Sequence, residues 1–272
     1  MQHFPMTPKE MVISPWRNRY LLKKAIQREI NGRYRGSILG ILWSFFTPLL
    51  MLSVYTFVFS VVFKARWSGG SGSKTEFALI LFSGLMVFNL FAECVNRAPT
   101  MILGHSDYVK RVIYPLEILP LVTMGSAIFQ TTISLGVWLL AYVVLFGIPQ
   151  VTVFLLPLVL MPLVFLTLGI CWWLAALGVY LRDVSQIIGI ITTAMLFLSP
   201  IFYSASRLPE NYQKILKLNP LTLIIEHTRG ILLWGRLPDS ITLIIQYILT
   251  ISICYMGFAW FQKTRKGFAD VL

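Results

Sequence analysis

Apolar residues run through the chain in long tracts. Charged side chains are absent from residues 36–63, 77–92, 118–181, 184–206 and 240–262. A helix needs about 20 apolar residues to cross the hydrocarbon core of a bilayer at 1.5 Å per residue. The third tract is long enough for two crossings, divided by the turn sequence FGIPQ at 146–150. The pattern therefore predicts six transmembrane helices, over residues 37–63, 77–96, 118–146, 151–181, 184–206 and 240–262.

Composition favours the same class, an all-α integral membrane protein. Hydrophobic residues make up 57% of the 272 positions and charged residues only 12%, and the mean hydropathy is +0.74. These values lie outside the usual balance of a soluble domain. We expect a cytoplasmic N-terminal segment over residues 1–36, a six-helix membrane domain over 37–262 and a cytoplasmic tail over 263–272.

The basic residues indicate the orientation of the helices. Most of the 23 Lys and Arg residues lie before the first crossing, in the second connection or at the C-terminus. With six crossings these segments share one side, which the positive-inside rule assigns to the cytoplasm. Arg182 and Asp183 interrupt the apolar sequence at the predicted cytoplasmic turn between crossings four and five, and they keep that turn out of the bilayer. The net charge of +12 fits this membrane geometry, so nucleic acid is not expected as a partner.

Residues 16–35 predict an amphipathic helix on the membrane surface. Plotted at 100° per residue, one sector is apolar and another is basic. The apolar sector holds Trp16, Tyr20, Leu22, Ile26, Ile30 and Tyr34, and the basic sector holds Arg17, Lys24, Arg28 and Arg35. The alternative is a solvated basic tail that only fixes the topology.

The fifth connection, residues 207–239, carries apolar runs that are interrupted by charges and prolines and are too short to span a bilayer. It predicts re-entrant or interfacial helices on the outer face that cap a pathway. Glu226 and Arg229 are three residues apart, a spacing at which a helical ion pair forms. They are candidates for a structural pair or for an outer gate.

Residues for catalysis are not apparent in the sequence. It contains no phosphate loop of the GxxxxGK[ST] kind and no cluster of carboxylates in an apolar tract. Cys94, Cys171 and Cys254 lie in apolar tracts without metal or disulfide spacing. We therefore expect no enzyme activity, no metal and no cofactor in this chain.

Five segments, in order along nearly the whole chain, resemble the membrane subunit of polysaccharide ABC exporters. That family comprises the type-2 ABC permeases that move O-antigen, capsule and teichoic-acid chains. The segments are YRGSILGILWSFFTPLL at 34–50, VKRVIYPLEILPL at 109–121, YLRDVSQI at 180–187, LSPIFYSASRLPENYQKILKLNPL at 198–221 and KTRKGFADVL at 263–272.

The resemblance implies a homodimer in the bacterial cytoplasmic (inner) membrane, with two copies of a separate ATPase that bind ATP and Mg. It implies a lipid-linked polysaccharide as cargo, and the C-terminal segment favours the O-antigen and lipopolysaccharide exporters over the capsule and teichoic-acid ones. Contacts with the ATPase are implied for residues 16–35 and 98–111. The implied coupling residues are His105, Asp107, Lys110, Arg111, Arg182 and Asp183.

The resemblance suggests roles for two further sets of residues. Trp43, Phe46 and Phe57 share a stripe about 60° wide on crossing one and are candidates to line a glycan conduit; packing or an interfacial belt is the alternative. Glu93 and Arg97 are four apart near the cytoplasmic end of crossing two. They favour a helix-end pair, with contact to the sugar chain or its pyrophosphate as the alternative.

Two other classes of protein remain open on sequence. A secondary transporter also consists of apolar helices without an ATPase motif, but it usually carries ionisable groups near the midplane, and crossings three to six contain none. A membrane-embedded glycosyltransferase needs charged residues gathered at one face. The outer connection offers only Glu210, Glu226 and Asp239 with Arg207 and Arg229.

Overall fold

The computed structural model describes residues 5–62, 67, 74–107, 114–205 and 209–272. All regular structure in these ranges is helical. The helices are α1 (Pro8–Arg17), α2 (Arg19–Arg33), α3 (Trp43–Tyr55), α4 (Lys74–Arg97), α5 (Leu119–Phe146), α6 (Leu156–Tyr180), α7 (Val184–Leu198), α8 (Glu210–Leu218), α9 (Pro220–Leu233), α10 (Ser240–Thr264) and α11 (Phe268–Val271).

Within the described ranges, five helical segments are long and apolar enough to cross a membrane, as the charge-free tracts predict. They are Gly40–Phe59, Thr75–Thr100, Leu116–Phe146, Val151–Tyr180 and Ser240–Val271. The first combines α3 with a π-helical turn, Thr56–Val62, that continues it.

The predicted fifth crossing, residues 184–206, forms a shorter helix. Helix α7 has 15 residues and ends at Leu198, so it is about 22 Å long against a hydrocarbon core of about 30 Å. Ser199 is extended (ψ 147°) because the ring of Pro200 disfavours helical backbone in the residue before it. The chain therefore turns back at this depth, into α8 and α9.

The two ends of the helix bundle differ in what they carry. At one end, here called the basal end, lie α1, α2, the connection after α4, the turn between α6 and α7, and the C-terminal residues. Gly178 packs against Pro99, and the Tyr180 hydroxyl donates to the carbonyl of Thr264 (2.9 Å). The opposite, distal end carries α8 and α9, where the Thr152 hydroxyl donates to the carbonyl of Ile231 (2.6 Å).

Helix α4 lies at the centre of the bundle. In the most apolar stretch of its span, 83% of the residues are buried, and α3, α5, α6, α7 and α9 pack around it. Helices α6 and α10 are in close contact along their length, because glycines face each other where they cross. A Cβ on Gly257 would lie 2.1 Å from the carbonyl oxygen of Gly169, so only glycine allows this approach.

The predicted amphipathic helix at 16–35 is two helices. A break at Asn18 (φ −97°, ψ 19°), whose side-chain amide donates to the carbonyl of Ser14 (2.9 Å), separates α1 from α2. Ile26 packs on Gly125 of α5, so the apolar face of α2 contacts the bundle. The prediction that Trp16 and Tyr20 share one sector of a single helix is wrong, because the break puts Trp16 on α1 and Tyr20 on α2. Both side chains are more than 70% exposed.

Candidate functional site

Four charged residues join α2 to the basal end of α4. Arg33 of α2 forms an ion pair with Glu93 of α4, and Arg97 of α4 forms one with Glu29 of α2. The Nη1 atom of Arg97 also lies 3.8 Å from the Oε1 atom of Glu93. We call these four residues the α2–α4 charge cluster. Because two charges of each sign are present, the cluster is neutral overall and fixes α2 against the membrane helix.

The cluster revises the interpretation of Glu93. Arg97 is a partner of Glu93, as its spacing predicts, but Arg33 lies closer to the carboxylate. Burial opposes the charge of Arg33, yet the hydrogen bond to Glu93 and attraction by Glu93 and Glu29 outweigh it and raise the pKa of Arg33. Sequence reasoning missed Glu29 and Arg33. Their four-residue spacing on α2, which matches that of Glu93 and Arg97 on α4, is the signal that could have identified them.

A second cluster, here called the Glu117 cluster, joins both termini of the chain to the bundle. The carboxylate of Glu117 accepts a hydrogen bond from the Ser14 hydroxyl of α1 (2.7 Å) and one from Arg265, just after α10 (2.5 Å). Arg265 also donates to the carbonyl of Tyr114 (2.9 Å), and the Trp172 indole of α6 donates to the carbonyl of Glu117 (3.0 Å).

The Glu117 cluster is almost dry. The side chains of Glu117 and Arg265 are 7% and 11% exposed, and Ser14 is fully buried. Sequence analysis did not single out these residues. The available signal was the position of two opposite charges near the ends of apolar crossings, Glu117 before the third and Arg265 after the sixth.

The predicted coupling residues that the structure describes lie at the basal end. His105 is half-buried, with Nδ1 2.8 Å from the carbonyl oxygen of Met101, and Asp107 is exposed. Arg182 and Asp183 are exposed in the turn between α6 and α7. The packing of Gly178 on Pro99 brings that turn beside the connection after α4. Lys110 and Arg111 lie outside the described residues, so their predicted role stays a prediction.

A basal cleft separates α2 from the connection that carries His105. Its volume is about 180 Å³, and its lining includes Arg28, Glu29, Arg97 and His105. The predicted basic face of the N-terminal helices is exposed. It comprises Arg17, Lys24, Arg28 and Arg35, and Arg17 pairs with Glu10 at 2.7 Å. Exposed basic groups beside a cleft suit contact with anionic lipid headgroups or with a protein partner.

At the distal end, Arg229 of α9 is fully buried. Its Nε donates to the carbonyl of Ile80 (3.2 Å), and its two terminal nitrogens donate to the carbonyls of Pro200 (2.5 Å) and Ile201 (2.9 Å). The guanidinium also stacks over Trp67, 4.7 Å from the ring centroid. Burial lowers the pKa of Arg229 to about 10, opposed by Glu226, so the group stays charged at neutral pH.

The predicted ion pair between Glu226 and Arg229 is weaker than the hydrogen bonds that Arg229 donates to the three carbonyl groups. The closest oxygen of Glu226 lies 3.7 Å from Nη1, and this carboxylate is 38% exposed. The end of α7 at Leu198 leaves carbonyl groups free in the turn that follows, and Arg229 satisfies them. Arg229 therefore ties α9 to α4 and to the end of α7. The role of Arg229 and Glu226 in an outer gate stays a prediction.

The three aromatic conduit candidates are all partly exposed. Trp43 and Phe46 lie on α3 and are each 37% exposed, and Phe57 is 60% exposed. Phe57 belongs to the π-helical turn, whose wider turns change the angle per residue, so the stripe calculated at 100° per residue applies only as far as Tyr55. Their role in a conduit stays a prediction.

Comparison with known proteins agrees with this architecture. The ABC-2 type transporter family matches residues 20–233. The O-antigen export system permease protein RfbA of Myxococcus xanthus is 28% identical over 93% of this chain and 95% of its own, and its counterpart from Klebsiella pneumoniae is 27% identical with the same coverage. The polysialic acid transport protein KpsM of Escherichia coli is 23% identical over 88% of this chain and 92% of its own. The chain thus belongs to the ABC-2 type transporter family.

Proposed function

We propose that this chain is the transmembrane subunit of an ATP-driven exporter that moves a lipid-linked polysaccharide across the cytoplasmic membrane. The observation that carries the proposal is the alignment with O-antigen export permeases over 93% of the chain. The family match, residues 20–233, begins within α2, which the α2–α4 charge cluster fixes to the bundle, and it includes the capping helices α8 and α9. The proposed cargo is an O-antigen glycan.

The Escherichia coli relatives support a second candidate cargo. They are named polysialic acid transport proteins and align over 88% of this chain. A capsular polysaccharide would use the same subunit arrangement with a different sugar. The lower identity of these relatives favours the O-antigen glycan.

In the proposed arrangement, two copies of the chain pair in the membrane, and each faces an ATPase at its basal end, in the cytoplasm. Both termini lie on that side. The exposed charges at Arg182 and Asp183, together with the cleft beside His105, supply a polar surface for the ATPase. ATP and Mg bind in the ATPase alone. Movement there reaches the membrane through the connection after α4 and through α2, which the charge cluster ties to α4.

Purification tests the subunit composition. The tagged chain, extracted in mild detergent from its own host, is expected to elute with a phosphate-loop ATPase as two copies of each subunit. Mass measurement of the intact complex reports the stoichiometry. A transport-competent species that contains no ATPase would contradict the proposal.

Two aromatic substitutions test the conduit. If Trp43 and Phe57 line the path of the glycan, a Trp43→Ala/Phe57→Ala variant is expected to lower polymer export while expression, assembly and melting temperature stay unchanged. If they pack against a neighbouring helix, the same changes lower the melting temperature, because large-to-small substitutions at packed sites cost about 3–5 kcal/mol each. Measuring both quantities on one preparation separates the two roles, and wild-type export from the double variant would contradict the conduit.

A further inference from the structure

A polar groove runs between α3, α4 and α5, from the basal end past the middle of the bundle. Its volume is about 470 Å³, within the range of small-molecule binding sites. Amide and hydroxyl groups line it beside aromatic rings, although all three helices belong to membrane spans. The lining includes Tyr34, Tyr55, Asn89, Asn96, Gln130 and Ser134.

Asn89 gives the groove its polar character at membrane depth. Together with Glu93 and Asn96 it forms a polar stripe on α4, at a spacing of four and then three residues, which places the three side chains on one face of the helix. Asn89 is exposed, and its amide makes no hydrogen bond within the part of the chain that the structure describes. An amide in hydrocarbon without a partner costs several kcal/mol, so the groove favours water or a polar ligand.

The lining of the groove has no net charge. Arg33 and Glu93 line it and are paired with each other, and the whole α2–α4 charge cluster is neutral. A phosphate group binds most strongly to an uncompensated Arg or Lys, and the charged residues that line the groove are paired. The lining also offers neutral donors and acceptors: the Tyr34 hydroxyl donates to Oε1 of Gln130 (3.2 Å), whose amide nitrogen donates to the carbonyl of Ser44 (3.0 Å). These contacts hold Gln130 and Tyr34 in fixed positions.

This combination suits an uncharged sugar. Amides and hydroxyls bind the hydroxyl groups at the edge of a sugar ring, and the rings of Tyr34 and Tyr55 offer flat surfaces to its C–H faces. We propose that the groove binds a neutral sugar unit of the lipid-linked glycan on the basal side of the membrane before export. The inference rests on the proposed function and identifies the part of the cargo that each subunit holds.

Cysteine accessibility tests the occupancy of the groove. Asn89→Cys and Ile128→Cys are introduced into the full permease–ATPase complex and treated with a membrane-impermeant maleimide. Ile128 is a matched control, because its side chain is 40% exposed but does not line the groove. Its depth is also similar: Ile128 on α5 and Asn89 on α4 each lie about 13 Å from the basal end of their helix. The native cysteines Cys94, Cys171 and Cys254 are buried, so the unsubstituted complex gives the background.

We expect Asn89→Cys to react and Ile128→Cys to remain unmodified. In membranes that contain the lipid-linked glycan and an inactivated ATPase, labelling of Asn89→Cys is expected to be several-fold slower than in membranes from cells that lack the first enzyme of glycan assembly. No reaction at Asn89→Cys, or equal rates in both membranes, would overturn the inference.

An export assay on the same cells separates this inference from the proposed function. Asn89→Leu is expected to lower the export rate roughly tenfold at limiting substrate, as the loss of one or two hydrogen bonds to the sugar predicts, without lowering the melting temperature. Asn89→Gln retains the amide and should restore part of the rate. Normal export by Asn89→Leu would overturn the sugar site alone, whereas ATP-independent export by the wild-type complex would overturn the proposed function.

Discussion

Replacing Glu117 with alanine is expected to destabilise the folded permease by about 3–5 kcal/mol, because it leaves the nearly buried guanidinium of Arg265 without its counter-charge. The Ser14 hydroxyl loses its acceptor as well. The change should lower the melting temperature of the purified complex by roughly 10 °C. Because Glu117 joins α1 and the end of α10, both termini should become more susceptible to protease.

An exposed ion pair provides the matched control. Arg17 and Glu10 lie 2.7 Å apart on α1, with the Arg17 side chain 60% exposed, and Glu10→Ala is expected to cost less than about 1 kcal/mol. In Glu117→Ala/Arg265→Ala the unpaired charge is absent, so the double variant should be less destabilised than the sum of the two single variants. Equal melting temperatures for Glu117→Ala and Glu10→Ala would contradict the structural role of the Glu117 cluster.

Replacing Arg229 with methionine is expected to detach the capping helices from the bundle. The substitution leaves the carbonyl groups of Pro200 and Ile201 without the donor that Arg229 supplies, and each unsatisfied buried group costs about 1–3 kcal/mol. The carbonyl of Ile80 keeps the hydrogen bond from the Ser83 hydroxyl (2.7 Å). We expect a melting temperature lower by roughly 10 °C and increased labelling of cysteines placed in α9. Arg229→Lys should give an intermediate result, because one ammonium group cannot reach three carbonyls in the geometry of the guanidinium.

Substitutions at two neighbouring residues serve as controls and show whether the loss of stability is specific to Arg229. Arg236 is exposed near the end of α9, and Arg236→Ala is expected to change stability by no more than about 0.5 kcal/mol. Glu226→Gln should also have a small effect, because the carbonyls, rather than Glu226, hold Arg229. A large loss of stability in Glu226→Gln, with little loss in Arg229→Met, would show that the ion pair dominates instead.

The membrane helices could be predicted from the sequence because their signal is local. A charge-free tract of the right length is sufficient, and it identified the five long spans and the shorter apolar α7. The end of α7 was harder to place. Ser199 and Pro200 end the helix within an apolar tract that continues to residue 206, so hydropathy alone extends the crossing beyond the point where the backbone turns.

The contacts between distant residues could not be predicted in the same way. Glu117 and Arg265 are separated by 148 positions, and no periodicity connects them. Arg229 was noticed for its spacing from Glu226, which is local, while its strongest partners are carbonyl groups that carry no signature in the sequence. The polar groove was also missed, because Asn89 and Gln130 are uncharged residues within charge-free tracts and gain significance only when α3, α4 and α5 are brought together.

Transport by the reconstituted complex tests the proposed function most directly. The permease and its ATPase are placed in sealed vesicles that carry the lipid-linked glycan in the leaflet facing the basal end, and passage of the glycan to the other side is followed with and without ATP. We predict transfer that requires both subunits and ATP hydrolysis and leaves the glycan covalently unchanged. Transfer driven by an ion gradient without ATP, or a product in which the sugar has been joined to a new acceptor, would contradict the exporter.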